Sequence, residues 1–276
     1  MRIKISLIRL LKSPFFWLCA LYMLTAKGHI EIIDTEYSIR TAKAIIEEGT
    51  MLIEPVDSNN KMPVILGTDK IYSQYGIGLL AIFIPIISLA KFLSFSFGFE
   101  EVMLSHFILS FYNMPFALLG LWHFREILKK LGQNHNTANF LTICLATGTI
   151  FWKYVVTDFS EITQIALLLG AINSFVNVKH PKRWLSVSIY LSLLVILKLV
   201  YVIVIPPFVV LAIIDGRRNH RTIPNLMHGI AILLPSALLL MYINWIRYGS
   251  IFESGYGSAQ SEFSIHYLLR DWQDYL

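Results

Sequence analysis

Residues 76–97 read GIGLLAIFIPIISLAKFLSFSF. The run is apolar and long enough to cross a bilayer, because about 20 residues at ~1.5 Å rise span the ~30 Å hydrocarbon layer. Whether it crosses sets the orientation of everything after it. Another apolar run precedes it at Pro14–Ala26, and others follow at about 102–124, 138–153, 162–178, 184–197, 199–214 and 224–246. The turns between the later runs carry Arg125, Lys129 and Lys130; then Lys179, Lys182 and Arg183; then Arg217, Arg218 and Arg221. Arg2, Lys4, Arg9 and Lys12 stand before the first run. Cytoplasmic loops are enriched in such bases, so the amino terminus is expected in the cytoplasm. If 76–97 crossed, the three later basic turns would all lie on the far side. If it lies in the interface or re-enters, they share the cytoplasmic side. Pro85, Lys91 and the SFSFGFEE ending also interrupt a clean span. The expectation is therefore a juxtamembrane segment.

Composition agrees with a chain built for lipid. Of 276 residues, 55% are hydrophobic and 15% charged, and the mean hydropathy is +0.60. That is too oily for an ordinary soluble domain. The expected fold is all-α: one polytopic membrane helix bundle over 1–276, with an extracytoplasmic first loop at about 27–75. The net charge of +5 sits in interhelical turns, so it reads as topology and not as a nucleic-acid surface. Cys19 and Cys144 both fall in apolar runs, and no metal-ligand spacing is present. The basic-then-apolar start resembles a signal peptide but lacks a small-residue cleavage site, which predicts a retained first helix. No internal repeat or low-complexity segment occurs.

Asp34 to Gly78 is the one long polar interval. Thr35 to Glu48 reads as an amphipathic helix, with Glu36, Arg40, Lys43 and Glu47 at helical spacing. Asp34 suits its N-cap and Gly49 its stop. Residues 50–70 have loop composition. The same topology places Lys153–Glu161 and Arg247–Leu276 outside. Pro206-Pro207 should kink the helix they occupy.

Three polar sites thus converge on one side: Asp34 with Glu36; Asp158 with Glu161; and Arg247 through Glu253 to Tyr256. Charges near hydrocarbon are expensive and mark substrate paths or relays. A carboxylate there suits a general base, and Arg40, Lys70 and Arg247 offer cations for a phosphate. Together they suit group transfer from a lipid-linked phosphate donor to a hydroxyl or amine. Plainer roles compete at each position. Asp34 can simply cap its helix, and Glu36 with Arg40 forms an i,i+4 surface pair. Lys70, Tyr72 and Tyr75 suit interface anchors, and Asp158 and Glu161 suit a helix start. His106 and His123 read as packed or interfacial, and His180, His220 and His228 as lying in or near cytoplasmic turns. Lys198 interrupts an apolar run, placed to snorkel or to meet a phosphate.

The ordered set DTEYSIRTAKAIIEEG (34–49), DKIYSQYGIG (69–78), TDFSE (157–161) and NWIRYGSIFESGY (244–256) resembles the GT-C superfamily of polytopic glycosyltransferases. That superfamily includes protein O-mannosyltransferases and lipid A aminoarabinose transferases. The resemblance covers essentially the whole chain. It implies a polyprenyl-phosphate sugar donor, work on the extracytoplasmic face of a bacterial inner or plasma membrane, and a lipid, glycan or protein acceptor. It also implies an essential acid in the first loop, matching Asp34, a second external acid matching Asp158, and a juxtamembrane helix after that loop. Catalytic roles then fall to Asp34, Glu36 and Asp158, with Arg40, Lys70, Tyr72, Tyr75, Glu161, Arg247, Glu253 and Tyr256 binding substrate. Some relatives use a divalent metal and others none, so the metal stays open. Lys70 lacks the usual Lys-Pro-Pro-Leu setting, and Asp34-Thr-Glu36 replaces an adjacent Asp-Glu pair. Members are commonly much longer, so part of the family fold is expected to be missing here. A flippase for lipid-linked sugars, or an inactive relative acting as a membrane scaffold, are the alternative functions.

Overall fold

The structure, a computed structural model, describes residues 13–53, 71–178, 180, 182–219, 222–253 and 255. Among them the chain forms α1 (Pro14–Thr25), α2 (Ile33–Glu48), α3 (Leu80–Phe97), α4 (Glu101–Leu109), α5 (Asn113–Lys130) and α6 (His135–Gly148). Then follow α7 (Ile150–Val155), α8 (Glu161–Val176), α9 (Arg183–Leu197), α10 (Ile205–Asn219) and α11 (Thr222–Tyr248). Short 3₁₀ segments at Ile77–Leu79 and Leu199–Val204 lead into α3 and α10. The one β pairing among the described residues is an isolated bridge between Leu52 and Tyr72. The fold is all-helical, as the apolar runs imply. Among the described residues, four stretches are long and apolar enough to cross a membrane by length and composition: Ile77–Phe97, Glu101–Lys130, Leu199–Asn219 and Ile223–Tyr248. Pro14–Thr25, Glu161–Val176 and Arg183–Leu197 are shorter apolar helices.

The helices pack as a chain of neighbours: α6 on α5, α5 on α8, α8 on α9, α9 on α11 and α11 on α10, with α1 against α5. Small residues set the central approach. An added Cβ at Gly120 would stand 3.3 Å from Ala166 Cα, and one at Gly170 would overlap the Tyr190 ring. Such small-residue crossings let membrane helices bring their backbones together. Leu18, Tyr22, Met114, Leu121 and Ile162 fill one buried cluster. The Tyr22 hydroxyl donates to the Ala146 carbonyl (3.0 Å), joining α1 to α6.

The bundle has two chemically distinct ends. At one, Lys130 Nζ donates to Asn173 Oδ1 (2.7 Å), Arg125 Nε to Asn139 Oδ1 (2.6 Å), and Arg183 pairs with Asp215. Described residues of all three basic turns therefore share this end. At the other end the 157–161 turn meets the start of α2, and Lys198 stands beside Glu161.

At that second end α3 packs against both α2 and α4. Asp34 and Ser38 share a cavity wall with Gly76 and Leu79, while Glu47 pairs with Lys91 at 2.8 Å. The two helices therefore run side by side in the same direction. Ile39 and Ala42 bury against Leu80, Phe83 and Ile87. Gly49 ends α2 with φ 66°, the left-handed conformation expected of a glycine stop. The N-cap expectation is corrected: α2 starts from Ile32, and Asp34 lies inside the first turn. Pro206-Pro207 lie where the 3₁₀ segment Leu199–Val204 passes directly into α10, so the helix type changes at the prolines within one helical stretch from Leu199 to Asn219.

Candidate functional site

The site is built around a lock between two loops. Asp158 is buried, and its carboxylate accepts the backbone N–H of Ile32 (2.8 Å) and of Glu31 (3.2 Å to each oxygen). Its own carbonyl accepts Thr35 Oγ1 (2.5 Å) and the Tyr112 hydroxyl (3.0 Å). Asn113 Nδ2 donates to the carbonyls of Thr157 (2.9 Å) and Phe159 (2.8 Å). The free N–H groups at a helix start need acceptors, and here a carboxylate 126 residues away supplies one. With both oxygens engaged, Asp158 orients α2.

Asp34 is thereby held on a small cavity of about 80 Å³, with Thr35, Ser38, Tyr75, Ser160, Glu161 and Lys198 among its walls. No hydrogen bond or ion pair engages the Asp34 carboxylate among the described residues. Glu36 turns elsewhere: two residues along a helix is about 200° of rotation. Its carboxylate accepts Arg40 Nε (3.0 Å) and lies 3.4 Å from His106 Nε2. The i,i+4 pair expected of Glu36 and Arg40 is present, and the structure does not bring either residue to Asp34.

Beside this crevice opens a groove of about 440 Å³, sharing Tyr75, Gly76 and Lys198 with it. Its walls are mostly apolar, from Ile77, Val195, Leu199, Leu240 and Ile243, and two cations border it. Lys198 sits where α9 ends, in extended backbone, with Nζ 3.6 Å from Glu161 Oε1. Both side chains are substantially exposed, so the pair is worth at most about 1 kcal/mol and leaves the ammonium available. Arg247 is the more unusual cation, only 4% exposed. Its guanidinium donates to the Tyr75 carbonyl (3.4 Å) and lies 4.8 Å from the Tyr248 ring centroid. No acidic side chain pairs with it among the described residues. A buried cation left without a carboxylate on a groove wall is suited to an anionic ligand.

Glycine makes the junction possible. An added Cβ at Gly76 would overlap the Leu197 carbonyl oxygen, and one at Gly78 would stand 2.5 Å from Leu197 Cα. The 76–78 backbone therefore lies directly on the end of α9.

The other expected site residues are spread more widely. Tyr72 is buried, its ring edge-on to Tyr248 at 6.4 Å, and lines neither cavity. Tyr75 lines both and lies 6.3 Å from Tyr37. Glu161 lines the small cavity as the first residue of α8. Glu253 accepts the Gly255 N–H (3.0 Å). Lys70 and Tyr256 lie outside the described residues. Around the site, Lys91 donating to Glu47 holds that carboxyl below its ordinary range, and Lys27 does the same for Glu31. Among the described residues no group of three or more His, Cys, Asp or Glu side chains is placed to hold a metal ion.

Thr35, Tyr112 and the roles of Gly76 and Gly78 were not legible as site features. Asn113 and Lys198 carry a signal, being polar residues inside apolar runs. The chain matches no protein-family model, no curated protein and no solved structure.

Proposed function

We propose that this chain is a membrane glycosyltransferase of GT-C type. In this reading it moves a sugar from a polyprenyl-phosphate donor to a lipid, glycan or protein acceptor on the extracytoplasmic face. One observation carries the proposal: Asp34, whose carboxylate has no partner among the described residues, lines a crevice that opens beside an apolar groove bearing Lys198 and the buried Arg247. A base, a cation pair for a phosphate and a trough for a lipid tail stand together.

The chemistry follows from that adjacency. Asp34 accepts the proton of the acceptor hydroxyl or amine as that atom attacks the anomeric carbon. The bond from the anomeric carbon to the phosphate oxygen breaks, and the lipid phosphate leaves with the electron pair. Lys198 and Arg247 balance the charge growing on it. Attack opposite the leaving group inverts the anomeric carbon.

The same reading makes Ile77–Phe97 a juxtamembrane element. Two features support this. α3 lies alongside α2, whose Arg40, Lys43, Glu47 and Glu48 would be costly beside hydrocarbon. Its outer surface and the turn after it expose Leu89, Phe92, Phe95, Phe97 and Phe99, an apolar edge suited to the interface. With α3 out of the count, the basic turns face the cytoplasm and Asp34 faces outside.

The test is Asp34→Asn in membranes supplied with a polyprenyl-phosphate sugar. Loss of a general base removes about 10²–10⁴-fold of rate. Undiminished transfer to the acceptor would remove Asp34 from the proposal.

A further inference from the structure

A second cavity, unrelated to the Asp34 crevice, lies between α9, α10 and α11 and reaches towards the basic end of the bundle. It measures about 500 Å³ and is almost wholly apolar. One face of α11 (Asn225, Leu226, Gly229, Leu233 and Ala237) forms its long wall. Asn225 to Ala237 covers ~18 Å at ~1.5 Å per residue, enough to span the ~15 Å of one hydrocarbon leaflet. The groove opens sideways between helices that expose Val209, Ile230 and Leu234, so in a bilayer its mouth meets lipid.

The end of the groove is polar and positively charged. Trp184 Nε1 donates to Asp215 (2.8 Å), and the carboxylate of Asp215 is paired with Arg183. Asp215 is thus already neutralised. Lys182, Arg217 and Arg218, each within three residues of that pair, are exposed and have no acidic partner among the described residues. The combination is an apolar slot for a hydrocarbon chain whose polar end, at Trp184 and Asn225, adjoins the turns that carry these bases.

We infer that this groove binds one anionic glycerophospholipid, with an acyl chain along α11 and the headgroup phosphate at Lys182, Arg217 and Arg218. Charge complementarity selects the headgroup, since each base near an anionic lipid favours it about fivefold. The apolar walls select a chain over a soluble anion.

The experiment is native mass spectrometry of the full chain in detergent, offered equal phosphatidylglycerol and phosphatidylcholine of identical chains. One phosphatidylglycerol adduct, retained several-fold over phosphatidylcholine, is expected. Arg217→Gln with Arg218→Gln should cut that preference sharply, to no more than the roughly fivefold that Lys182 supplies, and because both side chains are exposed the fold should survive. Gly229→Leu should abolish retention of both lipids. A Cβ at Gly229 meets only Ser188 Oγ, at 3.9 Å, so the leucine grows into the groove without pushing on backbone. Equal retention of the two lipids, or wild-type retention in Gly229→Leu, would overturn the inference. So would a dimer mass that disappears in Gly229→Leu, which would make a second copy the occupant.

Discussion

Asp158→Ala separates a lock from a catalyst. The substitution leaves the Ile32 N–H, held at 2.8 Å, and the Glu31 N–H, shared at 3.2 Å between two oxygens, without their acceptor. Hydrogen bonds to charged groups contribute about 1.5–3 kcal/mol each. The Ile32 bond deserves the upper part of that range because Asp158 is 3% exposed. The Glu31 bond is long and lies on an exposed residue, so it adds little. The expected loss is about 3 kcal/mol in all, or a fall of roughly 10 °C in Tm at about 2–4 °C per kcal/mol. Asp158→Asn keeps one acceptor oxygen for Ile32 and should lose about half as much. Thermal unfolding in detergent measures both, and amide hydrogen exchange at Glu31 and Ile32 localises the effect. Faster exchange at those two amides, with transfer falling in step with it and recovering on cooling, is the expected pattern. Asp158→Ala within about 0.5 kcal/mol of wild type, with Ile32 exchange unchanged, would refute the lock.

Gly76→Ala and Gly78→Ala should sharply lower the yield of folded protein, because each methyl would enter the Leu197 backbone. Gly148→Ala, which meets nothing within 4 Å, should change stability by less than about 0.5 kcal/mol in the same unfolding assay. Arg247→Met should leave stability unchanged or raised, since a buried cation with no carboxylate partner among the described residues is replaced by an apolar chain. It should also raise the KM for the lipid-phosphate donor; an unchanged KM would remove Arg247 from the phosphate site. Glu47 supplies the pH prediction. Its carboxyl is held low by Lys91, so the pair stabilises above the unfolded value and is lost as pH falls through the folded one. Wild type should be slightly the more stable of the two at neutral pH, and the difference from Lys91→Gln should vanish in acid, as a stability titration would show.

The helices were largely legible in the sequence because hydrophobic run length is a local signal. The run at 184–197 became Arg183–Leu197, and the amphipathic 35–48 became Ile33–Glu48. What escaped depends on partners distant in sequence. Asp34 looks like a cap when only its neighbours are considered, yet the start of α2 is satisfied by Asp158. Gly76 and Gly78 look like turn residues until the end of α9 is seen lying against them. The divergence of Asp34 and Glu36 was implicit in the helical period, whereas the burial of Arg247 against the Tyr75 carbonyl follows only from how α11 and the 73–76 segment meet.

Sidedness tests the proposed topology most directly. With Cys19 and Cys144 replaced by alanine, single cysteines at Ser58, Gln133 and Asn219 can be probed in intact cells with a reagent that does not cross the membrane. Labelling of Ser58→Cys alone is expected, with Gln133→Cys and Asn219→Cys reacting only after the membrane is opened. Labelling of Asn219→Cys from outside would mean that Ile77–Phe97 crosses the bilayer, and Asp34 would no longer lie across the membrane from the basic turns.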